Sequence, residues 1–188
     1  MCGIIGIASN KPVSMNIINS LKKLEYRGYD SAGLATLYKD EISEKKCSGR
    51  VEELEKILFK TPSDGHLGIG HVRWATHGIP NIVNAHPHSS EIVSVVHNGI
   101  IENSDELKKN LESKGLRFKS QTDTEVITLL ITEALKDNKP LESVFNTLKQ
   151  LKGSFALGII FKNYKNIIIG ARRGSPLAVG YSNEENYL

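Results

Sequence analysis

A chain of 188 residues with 39% hydrophobic content is long enough to bury one good core, so a single domain is expected. Its 24 basic and 21 acidic residues are interspersed and leave a net charge of +3, with no Lys/Arg block among aromatics, which argues against a nucleic-acid partner. Two cysteines, no apolar run near the ~20 residues of a membrane span and no basic-then-apolar leader point to a cytoplasmic protein without a membrane partner.

The chain opens Met1-Cys2-Gly3-Ile4-Ile5-Gly6. A small residue at position 2 permits removal of Met1, which makes Cys2 the amino-terminal residue. Such a cysteine carries nucleophile and base together, since its thiol titrates near ~8.5 and its α-amine near ~7.7 to 8. The plainer alternative is a buried, inert cysteine opening a strand over residues 3–8. Ile17, Ile18, Leu21 and Leu24 recur on one helical face after Pro12. Residues 33–38 and 42–47 read as two strands joined by a turn at Asp40-Glu41, and Val51, Leu54, Ile57 and Leu58 mark a second amphipathic helix. Residues 67–74 and 92–97 read as strands flanking a polar loop over 75–90, where Gly78 and two prolines break any strand.

A charged helix spans 103–115, with Asn103 and Glu106 spaced as a capping box and Gly115 as its stop. Thr122 and Glu125 repeat that spacing before the longest apolar helix, 126–135. After Pro140 comes a helix with Val144, Phe145, Leu148 and Leu151 facing inward, then three β-like runs at 155–161, 167–171 and 177–181. Hairpin strands with helices in separate blocks predict an α+β layered fold. The last runs arrive with no later helix to cover them, so the chain reads as a fragment of a longer protein.

The chemistry concentrates between residues 66 and 98, which hold all six histidines, Arg73, the only tryptophan (Trp74) and Asn98. Histidine clustering suggests metal, but no HExxH, CxxC or carboxylate triad accompanies it, and a structural role suits His66, His71, His88 and His97 better. Asn98-Gly99 reads equally as a type I′ hairpin turn or as an oxyanion hole built from a side-chain amide and a backbone N–H. Arg73 is either a surface charge at a strand end or an anchor for a carboxylate. Asp123 is explained by the helix dipole unless a cation binds there.

Five ordered motifs carry a resemblance: Met1-Cys2-Gly3-Ile4-Ile5-Gly6, Glu25-Tyr26-Arg27-Gly28-Tyr29-Asp30-Ser31-Ala32-Gly33, His71-Val72-Arg73-Trp74-Ala75-Thr76-His77-Gly78, Asn84-Ala85-His86-Pro87-His88 and His97-Asn98-Gly99. Together with Gln121-Thr122-Asp123-Thr124-Glu125 and Arg173-Gly174-Ser175-Pro176-Leu177, they resemble the glutaminase domain of the class II, amino-terminal-nucleophile glutamine amidotransferases. The likeness is greatest to members that pass ammonia to fructose 6-phosphate. The alternative is the phosphoribosyl-pyrophosphate amidotransferase type, where His and Gln typically replace Tyr26 and Tyr29 and Tyr replaces Trp74.

The resemblance implies a four-layer αββα sandwich of antiparallel sheets, the amino-terminal nucleophile hydrolase fold. It implies that Cys2 attacks the amide of L-glutamine while Asn98 and Gly99 stabilise the oxyanion. Arg73 then grips the α-carboxylate and Asp123 the α-ammonium. Thr76, His77 and His86 add polar contacts, Trp74 sits on a loop covering the substrate, and Arg27 packs beside the nucleophile. Neither metal nor organic cofactor is implied. Residues 1–188 would form an incomplete glutaminase domain, lacking the sugar-isomerase domains that bind fructose 6-phosphate, and the full-length protein is expected to be a homo-oligomer.

Overall fold

A computed structural model describes residues 2–75 and 78–188. The apolar opening becomes strand β1 (Gly3–Ser9), followed by helix α1 (Ser14–Leu24), a single 3-10 turn (Glu25–Arg27) and the hairpin β2 (Ser31–Tyr38) and β3 (Glu41–Ser48). Next come α2 (Val51–Lys60), β4 (Leu67–Arg73), the short β5 (His88–Ser89) and β6 (Val93–Ile101). Three helices follow, α3 (Ser104–Ser113), α4 (Thr124–Ala134) and α5 (Pro140–Leu148), then β7 (Gly153–Phe161), β8 (Ile168–Arg173), β9 (Gly180–Tyr181) and β10 (Glu185–Tyr187).

The strands form two antiparallel sheets, ordered β3-β2-β4-β1-β10-β9 and β5-β6-β7-β8. Leu21 of α1 and Leu54 and Leu58 of α2 pack on Ile7, Leu34 and Val72 of the first sheet. Leu111, Ile127, Ile131 and Val144 of α3–α5 pack on Val95, Leu157 and Ile159 of the second. Ala35, Leu67 and Ile69 meet Val96 and Ile160 between the sheets. The molecule is therefore a four-layer αββα sandwich. Both faces of the central strands are covered, which is why β2 and β4 are buried nearly end to end rather than alternating.

Several local expectations are corrected by tertiary contacts. The β2–β3 turn is centred on Lys39 and Asp40, whose φ angles of 48° and 66° place both in the left-handed region of a type I′ turn. Neither capping box forms. Asn103 leaves its helix uncapped and instead bonds Gln150 O and Lys152 N, while Glu125 accepts the Lys119 and Ser120 N–H groups. Those loops offered the side chains better-placed partners than the helix ends did. Phe145 is 58% exposed rather than inward. The late runs find partners: β7 and β8 extend the second sheet, while of the third run only Gly180–Tyr181 is a strand, β9, held on the first sheet through β10, which pairs with β1. Leu188 closes that edge, exchanging two 2.9 Å backbone bonds with Gly6.

Candidate active site

Cys2 stands half-buried at the head of β1. Its Sγ receives the Trp74 N–H at 3.4 Å and lies 3.6 Å from the Trp74 carbonyl, to which the thiol donates. The Arg73–Trp74 peptide reaches this position because it passes over Gly28, where a Cβ would sit 2.5 Å from the Arg73 carbonyl carbon and 2.7 Å from the Trp74 nitrogen. Burial pushes the Cys2 thiol above its ordinary value, while the Trp74 N–H and the Arg73 guanidinium pull the other way. A thiol held up like this attacks well only with a base at hand.

The turn reading of Asn98-Gly99 fails. β6 runs straight through both residues, pairing Asn98 with Ala156 and Gly99 with Phe155. The Asn98 Nδ2 donates to the Cys2 carbonyl at 3.1 Å, so a neutral amide donor is fixed on the same residue that carries the thiol. Gly99 has φ +145°, and a Cβ there would lie 2.1 Å from the Ser154 carbonyl oxygen. Only glycine lets the β6 backbone pass this close to β7.

Arg73 ends β4, but it is no surface charge: it is 3% exposed. Its guanidinium donates to the Gly78 carbonyl at 3.2 Å and the Ile79 carbonyl at 3.4 Å, with Asp30 at 3.8 Å. Asp123 precedes α4 at the N-cap position without making a side-chain cap bond. It accepts the Ile101 N–H at 2.8 Å and faces His97 Nδ1 at 3.8 Å. The helix dipole alone therefore does not account for its orientation.

Four imidazoles form the wall between these charges. His71 donates from Nε2 to the His97 carbonyl at 2.9 Å and stacks on His86 with ring centroids 4.2 Å apart. Thr124 Oγ1 serves His86 Nε2 at 2.7 Å and His97 Nδ1 at 2.9 Å. A hydroxyl has one proton, so it donates to one ring and accepts from the other. His88 Nε2 bonds Thr122 Oγ1 at 2.8 Å. Burial lowers all four: His71 to about 3, His86 and His88 well below the usual range, and His97 less freely because the Asp123 carboxylate opposes the shift. The wall is polar yet uncharged, so an anion there would meet Arg73, with Asp30 beside it, and a cation would meet Asp123. Among the described residues no group of three or more His, Cys, Asp or Glu is arranged to hold a metal.

Cys2, Arg73, Trp74, Gly99 and Asp123 line one small cavity of about 30 Å³, room for a water or two. On the other side of Cys2, Arg27, Asn98, Arg172 and Leu177 border a larger cavity of about 350 Å³. Larger volumes exist elsewhere, notably one of about 440 Å³ beside Lys39, His66 and Lys165, but neither cysteine lines it. His66 is exposed there, at the far end of β4, and is not part of the histidine wall.

The structure thus brings Cys2, Asn98, Gly99, Arg73, Trp74, His86 and Asp123 together, and Arg27 lines the larger cavity that Cys2 also borders. Thr76 and His77 lie outside the described residues, as does Met1. Sequence reasoning passed over Asp30, which accepts the Ala75 N–H and pairs with Arg73, and Thr124, which ties two histidines together. Both stand inside the quoted motifs, next to residues that were singled out, but only the folded contacts reveal their partners.

Comparison with known proteins agrees with this geometry. A family profile described as a glutamine amidotransferase domain matches residues 79–188. The glutamine–fructose-6-phosphate aminotransferases [isomerizing] of Bradyrhizobium diazoefficiens and Mesorhizobium japonicum are each 51% identical over the whole chain, which covers 31% of either protein. The chain therefore spans about a third of the length of these relatives. The solved glutamine phosphoribosylpyrophosphate amidotransferase of B. subtilis, complexed with ADP and GMP, superposes with a TM-score of 0.86 at 26% identity, over 100% of this chain and 41% of that one. With the αββα sandwich of the amino-terminal-nucleophile amidotransferases and a matching domain profile, this chain belongs to the class II glutamine amidotransferase family.

Proposed function

We propose that the chain hydrolyses L-glutamine to glutamate and ammonia through a thioester on Cys2. Once Met1 is removed, the freed α-amine takes the thiol proton, and Sγ attacks the side-chain amide carbon. The Asn98 Nδ2 and the Gly99 N–H stabilise the oxyanion, an arrangement in which a lost donor commonly costs ~10²–10³ in rate. The tetrahedral intermediate collapses with protonation of the leaving nitrogen, releasing ammonia, and water then cleaves the γ-glutamyl thioester to return the thiol.

Arg73 takes the α-carboxylate and Asp123 the α-ammonium, with Thr76, His77 and His86 adding polar contacts. Trp74, 48% exposed and edge-on to Tyr29, covers the substrate. The observation that carries this reading is the convergence of the Asn98 amide on Cys2 beside a cavity that also holds Asp123 and Arg73.

In this reading residues 1–188 are part of a glutaminase domain within a longer protein. Its remaining domains bind fructose 6-phosphate and consume the ammonia to make glucosamine 6-phosphate. The relatives' 51% identity favours that acceptor over a phosphoribosyl pyrophosphate, whose named representative stands at 26%. A cytoplasmic homo-oligomer fits such a protein, and no helix among the described residues is long and apolar enough to cross a membrane.

The test is an intact mass spectrum after incubation with 6-diazo-5-oxo-norleucine, with glutamate release measured in parallel. Loss of Met1, one adduct on Cys2 and glutamate release that disappears in Cys2→Ala are expected. A folded protein that has lost Met1 yet gains no adduct has no glutamine pocket, and the reading fails.

A further inference from the structure

Two amide side chains outside the proposed catalytic set hold the segment that fixes Arg73. Asn84 is a buried polar residue, 1% exposed, in the loop between β4 and β5. Its Nδ2 donates to the Ile79 carbonyl and to Gln121 Oε1, both at 3.0 Å, and its Oδ1 accepts the Gln121 N–H at 2.9 Å. Gln121 Oε1 also accepts the Ile79 N–H at 3.3 Å. The two backbone N–H donors settle which end of each amide is oxygen, because N–H groups cannot face an amide nitrogen's hydrogens. Both polar groups of Ile79 are thus bound by this pair. The Ile79 carbonyl and its neighbour, the Gly78 carbonyl, both accept from the Arg73 guanidinium. Gln121 in turn lies two residues before Asp123, on a segment anchored by the Thr122–His88 bond.

We propose that Asn84 and Gln121 are positioning residues: a clasp that keeps the Arg73 carboxylate grip in register with the Asp123 ammonium grip. The proposal rests on the substrate roles given above to Arg73 and Asp123. Its chemistry makes an asymmetric demand on the two amides. Asn84 must donate as well as accept, whereas Gln121 is used through its side-chain oxygen alone. Asn84→Asp keeps shape and acceptor but sets a carboxylate against the Ile79 carbonyl. Gln121→Glu keeps the acceptor that the Ile79 N–H and Asn84 Nδ2 require.

The experiment compares the full-length protein with Asn84→Asp, Gln121→Ala and Gln121→Glu by three readouts. These are kcat and KM for glutamine, labelling of Cys2 by subsaturating 6-diazo-5-oxo-norleucine, and labelling by iodoacetamide, which has no amino-acid end. Loss of a buried hydrogen bond to the clasp should raise the glutamine KM ~10-fold in Asn84→Asp and slow diazo-norleucine labelling similarly. kcat and iodoacetamide labelling should stay within ~3-fold, since the thiol and oxyanion donors are untouched. Gln121→Ala, at an exposed position that does not endanger the fold, should raise KM ~3–10-fold, and Gln121→Glu should restore it. The clasp is overturned if Gln121→Ala leaves KM unchanged, if Gln121→Glu is as damaged as Gln121→Ala, or if the variants lose both labelling reactions in parallel. A parent protein that releases no glutamate overturns the glutaminase reading and the clasp with it, whereas an active parent with indifferent variants removes the clasp alone.

Discussion

Lowering the pH from 7.5 to 5.5 should destabilise this fold steeply, because its buried histidines are held neutral. His71 is pushed down to about 3 and His86 and His88 well below their ordinary value, all chiefly by burial. In the unfolded chain each titrates near ~6.5. The folded value lies below the unfolded one, so the unfolded chain binds more protons throughout that window. Stability is complete above ~6.5 and is lost as pH falls toward the folded values. Over this interval one such histidine costs about 1.4 kcal/mol, and the three together about 4 kcal/mol. His97, also lowered, adds to the loss to the extent that Asp123 does not stabilise its cation. Against a typical domain stability of about 5–15 kcal/mol, that is a large fraction.

Urea unfolding followed by circular dichroism at constant ionic strength measures it. A His88→Gln variant should lose about one third of the effect, since glutamine can still bond Thr122 and cannot titrate. An unfolding free energy at pH 5.5 within about 1 kcal/mol of that at pH 7.5 would refute the reasoning, for it would mean that the folded wall accepts protons freely.

Three further outcomes follow from single contacts. Asn98→Ala should lower kcat for glutamine ~10²–10³-fold with little change in KM, read by steady-state glutamate release; a drop below ~5-fold would remove Asn98 from the oxyanion site. Gly99→Ala should fail to form a stable fold, because its methyl would sit 2.1 Å from the Ser154 carbonyl oxygen on the neighbouring strand, and a thermal melt within ~3 °C of the parent would contradict this. Arg73→Lys replaces a planar fork with a point charge at a site that engages two carbonyls, so KM should rise ~10-fold or more, with iodoacetamide labelling of Cys2 as the control that the thiol is intact.

Much of the architecture was legible in the chain. The 3.6-residue recurrence of Ile17, Ile18 and Leu21 and of Val51, Leu54 and Leu58 marked α1 and α2 correctly, since those positions have one apolar face and one wet one. The capping boxes misled because a Ser/Thr/Asn–Glu spacing states only what could bond locally. Asn103 found partners in a loop almost fifty residues away, and Glu125 in the turn of chain just before its own helix. Asn98-Gly99 was ambiguous for a related reason. A strong turn dipeptide stays extended here because nine consecutive residues of β6, Val93 to Ile101, are paired with β7.

By itself the sequence marked the candidate nucleophile, the ordered motifs and the layer class, because each depends on residue type, order and short-range period. What it left open was the electrostatic character of each side chain, which depends on neighbours distant in the chain. Arg73 becomes a buried guanidinium because Asp30, Gly78 and Ile79 close around it, and Asp123 turns from its helix toward Ile101 and His97. The histidines are tied into the fold because threonines 122 and 124 each take one ring nitrogen, of His88 and of His86 and His97. Burial and partner geometry arise only when the two sheets pack, and they decide which of these groups carries charge.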